Sequence, residues 1–553
     1  MINLKDDDNR VLRDTVHNYI SVPKRFFPII DSIEFQRLRH IKQTGYSALF
    51  PSATHNRFQH SLGVFHLGNI AATYLLRNSS VFLQELRKIW KQEYEEKIEM
   101  YKETFLLACL LHDFGHLPFS HTGEVSLPIS SVVEIVKKFK KEFVEKDGFP
   151  SCIIKNAGND FDCGRHEAIS VILAIEKFNE LFKGGMFDKQ LFARIITGGR
   201  HKEVKISNDP VKQFENVLIN LLNSKLIDVD KLDYVMRDAV ATGLNNVNID
   251  TYRLLASLTI VKGSTIHHLG FDKRAISILE NVVFANNWQR RWIQSHPTIT
   301  YEDEMLRNIL KEFFTSIKFN VEMLKPPLLL SDSDVLQFAK GILNDKKDKL
   351  YTAVENFFGR ESRLKPLWKT ETEFALYIKE FDKAKKDLIF ATLTDIMRMI
   401  LNATNAGSEP VNEDARSIKL DEQIITVVEK AIKKAPRDTI EKYKNLLTAI
   451  KLLKKCLNDC GQEFDLTIIF THYAKQAKLE DIGELLIYDK NRGNASALKE
   501  YLPHLIESNS ASLLSGELFF IYTNKKEKDS AKKLTPKKLI DILASDEFLS
   551  LIS

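Results

Sequence analysis

Residues 105–111, FLLACLL, form an apolar run that leads straight into His112 and Asp113. A helix without polar side chains can be buried on every side, and a histidine and a carboxylate at its buried end are costly to desolvate unless paired or bound to a metal. Such a helix has to end inside the protein, against other helices, with its polar tip turned into a site. His116 and His121 follow, and Gly115 and Pro118 break the helix between them, so residues 112–121 carry four titratable groups. That concentration reads as the wall of a site. A cluster of ordinary hydrogen-bonded histidines is the plainer alternative.

More helices surround this one. FQRLRHIKQ (35–43), SLGVFHLGNIAATYLL (61–76), ETFLLACLLHD (103–113) and KLDYVMRDAV (231–240) carry apolar residues at three- and four-residue intervals. Of the 553 residues, 44% are hydrophobic, enough for a substantial core, and the 28% that are charged mix both signs to a net charge of +5. A dedicated nucleic-acid binder concentrates its basic residues on one face, so nucleic acid is only a weak candidate partner. No apolar run approaches the ~20 residues that span a bilayer, and MINLKDDDNR lacks the apolar centre of a signal peptide; neither a membrane partner nor a leader is expected. The five cysteines, Cys109, Cys152, Cys163, Cys456 and Cys460, are odd in number, and a long chain with an ample core fits a reducing cytoplasm better than a disulfide framework. Cys456 and Cys460 have no further ligands at matching spacing and read as two thiols on one helix.

The histidine clusters fall almost entirely within residues 1–300, read as one helical core. Residues 301–455 read as a helical extension, whose runs NDKKDK (344–349) and KAKKD (383–387) suit solvated faces. From 456 to 553 the composition turns β-like in LTIIFTHY, ELLIYDK and ELFFIYTN. Thr535-Pro536 then has the cap and first-turn residues of a last helix. This stretch reads as a small C-terminal α/β subdomain of a fold that is mainly α. Lys525, Lys526, Lys528, Lys532, Lys533, Lys537 and Lys538 make it basic, most simply as a solvated loop.

Two further segments bear on the site. In HNRFQHSLGVFHLG (55–68), His60 comes just before a helix whose apolar face is Leu62, Phe65 and Leu67. In DVDKLDYVMRDAVATG (228–243), Asp230, Tyr234 and Asp238 are four apart and line one helix face, with Lys231 beside them. Two carboxylates and a tyrosine on one stripe are not a core pattern.

Together, His60, His112-Asp113 and Asp230 have the order H…HD…D, which resembles the HD phosphohydrolase superfamily. The ordered blocks FQRLRHIKQTG, FPSATHNRFQHSLGV, HDFGHLPFSH, RHE and DVDKLDYVMRD resemble its branch of SAM-and-HD-domain deoxynucleoside triphosphate (dNTP) triphosphohydrolases and bacterial dGTPases, over roughly residues 10–300. The resemblance implies an HD-domain core and one divalent metal ion held by His60, His112, Asp113 and Asp230. Two imidazoles and two carboxylates suit iron, manganese, zinc or magnesium, with positions left open for water and phosphate. The resemblance also implies that Arg57, Lys231 and His116 contact substrate phosphate, a task for fixed cationic donors in the first two cases. It makes His121 the group that protonates the leaving oxygen and His166 its neighbour, with Glu124 where an aspartate usually orients the catalytic histidine. A histidine is charged at little cost near neutral pH, and an adjacent carboxylate favours its protonated form. Tyr234 and Asp238 match residues at the sugar, and Gln43 one near the deoxyribose.

The implied reaction converts a dNTP to a deoxynucleoside and tripolyphosphate, in a cytoplasmic homo-oligomer serving nucleotide-pool control or antiviral defence. Asp31, Gln36 and Arg39 match an activating-nucleotide site, although Arg13 stands before Asp14 where asparagine is usual. In VVFANNWQRRWIQSH (282–296), Asn286 and Gln294 occupy positions where the family often has a phosphate-binding arginine and a tyrosine near the sugar. Either triphosphate binding is weaker or the substrate differs. NNWQRRW reads as a helix that buries its tryptophans and exposes its arginines, rather than as an aromatic-basic surface for nucleic acid. The rivals are an HD phosphohydrolase acting on other nucleotides or nucleic-acid ends, and a nucleotide-sensing or nucleic-acid-binding protein. The intact H…HD…D set favours an enzyme.

Overall fold

The computed structural model describes residues 9–45, 49–139, 164–202, 208–224, 227–244, 247–263, 265–359, 364–404, 417–435, 437–459, 464–472, 485–491, 493–502, 517–523 and 535–551. Among them helices predominate and the sheets are small, so the fold class is mainly α. The chain divides into two compact units, each assembled from three stretches: Met1–Gln289, Leu306–Tyr351 and Ala477–Ser510 in the first, and Arg290–Met305, Thr352–Gln476 and Ala511–Ser553 in the second.

The first unit is built around α1 (Arg57–Asn78), which is buried along most of its first three turns. Helix α1 begins at a capping box: the Asn56 side chain accepts the Gln59 amide at 3.1 Å, and the Gln59 side chain accepts the Asn56 amide at 3.2 Å. That start lies upstream of the one expected, so His60 sits inside the helix and not before it. α1 packs against α2 (Tyr94–Leu111), which carries FLLACLL, and against α4 (Val229–Thr242); α3 (Arg165–Lys177) packs on α2. Two glycines set the close approaches. A Cβ at Gly68 would stand 2.6 Å from Cys109 Sγ, and one at Gly63 would stand 1.9 Å from Asp233 Oδ1.

An N-terminal antiparallel hairpin, Asn9–Asp14 with Asn18–Pro23, belongs to this unit. So does a four-stranded sheet in the order Leu258–Lys262, His267–Asp272, Leu486–Asp489, Asn494–Ala497, whose central pair is parallel. The second unit has its own antiparallel sheet, ordered Lys365–Pro366, Glu517–Thr523, Leu466–His472, Ser417–Leu420, over a core that includes Trp368, Phe374, Phe519 and Leu539. The β-like runs of the C-terminal stretch are thus strands. Thr535 caps the helix Pro536–Leu543, and a further short helix, Asp546–Ser550, follows it. Lys537 pairs with Glu380 and Asp541; Lys525, Lys526, Lys528, Lys532 and Lys533 lie outside the described residues, as do Cys152, Cys163 and Cys460. Among the described residues no helix is long and apolar enough to cross a membrane.

The NNWQRRW segment differs from expectation. Trp288 and Trp292 are 44% and 39% exposed, while Gln289 and Ile293 are buried. The α-helix Ile276–Gln289 gives way there to a π-helical turn, Arg290–Gln294, and the wider turn changes which side chains face inward.

The segment after His112-Asp113 is held from several sides. Phe119 and Ser120 are both left-handed, with φ of 59° and 54°, a conformation disfavoured by roughly 1–2 kcal/mol per residue bearing a Cβ. Buried Asp332 accepts the Phe119 amide at 2.7 Å and the Lys42 amide at 2.9 Å. The Ser120 hydroxyl donates to the Lys42 carbonyl at 2.6 Å and accepts from Arg57 Nε at 2.9 Å. Buried Arg37 donates to the carbonyls of Phe114, His116 and Leu330. Asp332→Ala strands two amides whose bonds to a charged acceptor are each worth about 1.5–3 kcal/mol. The variant is expected to melt earlier, and hydrogen exchange at Lys42 and Phe119 should accelerate; unchanged protection at both amides would refute this.

Candidate metal centre and active site

Three helices converge their polar ends. His60 comes from the first turn of α1, His112 from the end of α2 and Asp230 from the first turn of α4, and one ligand atom of each lies within 4.8 Å of the others. His60 Nδ1 donates to Asp233 Oδ2 at 2.7 Å, and His112 Nδ1 donates to the Cys109 carbonyl at 2.9 Å. With both Nδ1 atoms committed as donors, both Nε2 atoms of the neutral rings carry lone pairs, and they face each other across 3.3 Å. Two acceptors so placed repel unless a cation lies between them. Imidazoles bound about 2.1 Å from one ion at a tetrahedral angle have nitrogens roughly 3.4 Å apart, so the spacing fits.

The carboxylates meet at the same place. Asp230 Oδ1 is 2.9 Å from His60 Nε2 and 3.8 Å from His112 Nε2. Asp113 brings Oδ1 to 3.3 Å from His112 Nε2 and Oδ2 to 3.6 Å from His60 Nε2. Burial opposes charge on His60, but Asp230 and Asp233, with Asp113 near, outweigh it and raise its pKa to about 10 when no metal is bound, so a proton and a metal ion compete for the same Nε2 lone pair. Burial would likewise keep the two carboxyls neutral; Arg57 and His112 hold Asp113, and His60 holds Asp230, below the usual carboxylate range. The donor set draws positive charge to this point and suits a divalent cation.

A second group adjoins the first. His116, His121, Glu124 and His166 also offer ligand atoms within 4.8 Å of one another. The His116 and His166 rings are stacked at 4.1 Å and 8°. His166 Nδ1 donates to Glu124 Oε2 at 2.9 Å, and Glu124 Oε1 is 3.1 Å from His116 Nδ1 and 3.2 Å from His121 Nδ1. On the far side, His116 Nε2 is 3.1 Å from Asp113 Oδ1, which joins the two groups. Burial pushes His116 down to about 3, aided by Arg57 and His166. Burial also opposes charge on His166, but Glu124 overrides it and raises the ring to about 9. One stacked ring is therefore neutral and the other cationic. The hydrogen bond from His166 to Glu124 favours proton handling here over a second ion. His121, whose side chain is 68% exposed, is the member open to solvent.

The residues expected at the substrate are near, but several are already engaged. Arg57 donates through Nη1 to Asp113 at 2.7 Å, through Nε to Ser120 and through Nη2 to the Gln43 carbonyl. That leaves two of a guanidinium's five N–H groups for phosphate. Lys231 Nζ is held by Asp228 at 2.6 Å and by the Ser224 carbonyl at 2.7 Å, so it must leave both to reach a phosphate. Asp238 is buried and accepts from His55 and Gln289, Tyr234 is half-buried on the same face of α4, and Gln43 is buried with Oε1 lacking a hydrogen-bond partner. Asp31 pairs with Arg10, Gln36 accepts from Arg39 Nε, and Arg39 covers the Phe58 ring.

Sequence reasoning missed the groups that hold this arrangement: Asp14, His17, Arg37, His55, Asp233, Arg237, Gln289 and Asp332. Arg37, a cation within the helical pattern of FQRLRHIKQ, is buried. Asp233 and Arg237 did leave a signal, being oppositely charged and four apart among the apolar positions of α4.

The family described as HD domain matches residues 57–180, which span the His60 and His112-Asp113 helices. An uncharacterized protein of Methanocaldococcus jannaschii is 28% identical over 305 residues, 55% of this chain and 50% of that protein. The deoxynucleoside triphosphate triphosphohydrolase SAMHD1 of Gallus gallus is 27% identical over 299 residues, 52% of this chain and 43% of that protein. The chain spans about half the length of the curated relatives it matches. In fold, it is similar to a crystal structure of a phosphohydrolase from Bacteroides thetaiotaomicron, with a TM-score of 0.52 and 19% identity over 94% of this chain and all of that one. The chain carries an HD domain and, in its motifs, resembles the HD-superfamily phosphohydrolases of the SAMHD1 and dGTPase branch.

Proposed function

We propose that this chain is a metal-dependent phosphohydrolase that converts a dNTP to the deoxynucleoside and tripolyphosphate. The observation that carries the metal-dependent reading is the pair of Nε2 atoms of His60 and His112 facing each other at 3.3 Å, with each Nδ1 on an acceptor and with Asp230 and Asp113 around them. A divalent cation bound there supplies polarisation of a phosphoryl oxygen and an activated water. Arg57 braces Asp113 and keeps two N–H groups for phosphate. His121 reaches solvent from its contact with Glu124 and donates a proton to the leaving oxygen, while charged His166 and neutral His116 line the phosphate side. Asp238, Tyr234 and Gln43 take the sugar. The relative named as a dNTP triphosphohydrolase supports the triphosphate reading. On the same ground, a homo-oligomer, an activating nucleotide at Asp31, Gln36 and Arg39, and a cytoplasmic role in nucleotide-pool control or antiviral defence belong to the proposal.

Asn286 and Gln294, standing where the family often has arginine and tyrosine, favour a second reading: an HD phosphohydrolase acting on another nucleotide. One experiment separates the two. Metal-loaded protein is incubated with each dNTP and NTP, alone and in mixtures, and the products are resolved by chromatography. Deoxynucleoside with tripolyphosphate is the expected outcome. Equal cleavage of monophosphates, or release of pyrophosphate or orthophosphate alone, would replace the first reading by the second.

A further inference from the structure

Behind His60 lies a chain of buried charges that are not themselves donors to the metal position. Asp233 is fully buried and accepts from His60 Nδ1 at 2.7 Å, His17 Nε2 at 2.6 Å, Arg237 Nε at 2.8 Å and Arg237 Nη2 at 3.0 Å. Arg237 donates onward to Asp14 Oδ2 at 2.9 Å. Asp14 also accepts the amides of Val16 and His17 at 2.8 and 2.9 Å, which closes the turn of the N-terminal hairpin. Gly63 makes the room: a Cβ there would meet Asp233 Oδ1 at 1.9 Å and Arg237 Nη2 at 2.6 Å.

We propose that Asp233 is the positioning residue that fixes the tautomer and orientation of His60 for metal binding, and that the hairpin turn, through His17 and Asp14, forms the outer wall of the metal centre. An imidazole ligand must keep one nitrogen as a lone pair, and a carboxylate that takes the other N–H secures this. Asp233 does so while its own position is set from two directions, by Arg237 on α4 and by His17 on the hairpin. The donors crowd both oxygens. Asp233→Asn would turn an amide donor toward one of them, so even a change that preserves volume disturbs the set. The proposal rests on His60 being a metal ligand and deepens that reading, but it does not depend on the identity of the substrate.

The test measures equilibrium Co(II) binding to the full chain, without nucleotide, by competition with a chelator and by the visible absorption of the bound ion. Asp233→Asn should weaken binding by about 10–100-fold, the usual effect of losing a ligand's hydrogen-bond partner, and should shift the Co(II) bands. His17→Phe keeps a ring in the same space but drops the N–H; a loss of several-fold in the same direction is expected, with every bond of Arg237 intact. Glu103→Gln is the control. It breaks another ion pair, that of buried Glu103 with the partly exposed Arg25 at 2.5 and 2.6 Å, nine residues before His112 on α2, and should lower the melting temperature without changing Co(II) affinity. If Asp233→Asn does not fold, His17→Phe decides. Co(II) affinity within twofold of the original chain with unchanged bands, or an equal loss in Glu103→Gln, would overturn the proposal. A chain that binds Co(II) as described yet hydrolyses no nucleotide would end the phosphohydrolase reading and leave this one standing.

Discussion

Asp113→Ala is expected to abolish hydrolysis and strip the metal from the purified protein. Asp113 sits where everything at the centre meets: Oδ2 accepts from Arg57 at 2.7 Å, Oδ1 lies 3.1 Å from His116 and 3.3 Å from His112, and both rings of the metal pair are within 3.6 Å. Its loss removes a negative charge from the cation position and leaves the Arg57 guanidinium buried without its partner. Breaking a buried pair from one side costs about 3–5 kcal/mol, so lower melting should accompany the lost metal. Asp113→Asn separates the two effects, because its amide oxygen can still accept from Arg57 while the charge is lost and an NH2 group takes the place of the oxygen beside His112 and His116. Metal content by elemental analysis, helicity by circular dichroism and turnover on dNTPs are the readings. Full metal occupancy with full activity in Asp113→Ala would end the assignment of this centre.

The second large effect is expected at His121. His121→Ala should keep metal and substrate binding and lose ~10²-fold or more in turnover, the usual contribution of a general acid. The residue is exposed, so its removal opens no cavity, and the stacked pair of His116 and His166 stays in place. The charge state behind it has a pH window. Burial opposes both charges, but His166 and Glu124 each hold the other ionised. The pKa of His166, raised from 6.5 to about 9, contributes stability that is complete below 6.5 and lost as pH rises through about 9. The lowered Glu124 carboxyl contributes stability present above 4.5 and lost as pH falls below that. The melting difference between the original chain and Glu124→Gln should therefore be largest between about pH 4.5 and 6.5, shrink as pH rises from there through about 9, and shrink again below 4.5. A difference that stays flat from pH 6.5 to 9, or wild-type turnover in His121→Ala, would show that the proton is handled elsewhere.

The centre was legible because its chemistry is carried by rare neighbours. A histidine and an aspartate at the end of FLLACLL, a histidine in NRFQHS and Asp230, Tyr234 and Asp238 at four-residue steps in DVDKLDYVMRD have few other uses, and in the fold His60, His112, Asp113 and Asp230 stand around one point. What could not be read were the groups that hold them. Arg37 and Asp332 come from stretches that look like ordinary charged helix, and their work is done on backbone amides and carbonyls of residues far away in the chain, which no local pattern records. His60 was placed one turn too early relative to its helix, because the capping box of Asn56 and Gln59 is a side-chain geometry and not a periodicity. Hydrophobicity alone points Trp288 and Trp292 inward, yet both are exposed, Trp288 on the α-helix and Trp292 in the π-helical turn that follows it.

The sheet of the first unit has a consequence for how the protein is made. The strand His267–Asp272 pairs with Leu486–Asp489, more than two hundred residues later in synthesis, and Asn494–Ala497 completes the sheet only after that. On a ribosome, the helices that carry His60, His112 and Asp230 are all translated while one edge of this sheet is still bare, and a bare edge is a template for pairing with another chain. The nascent protein thus passes through a long interval in which the helices of its centre can dock but its β-layer is open, with the high sequence separation that slows folding. Any fragment ending near residue 300 would be arrested in that interval, which makes self-association, rather than loss of the His60 and His112 pairing, the first fate to expect of it.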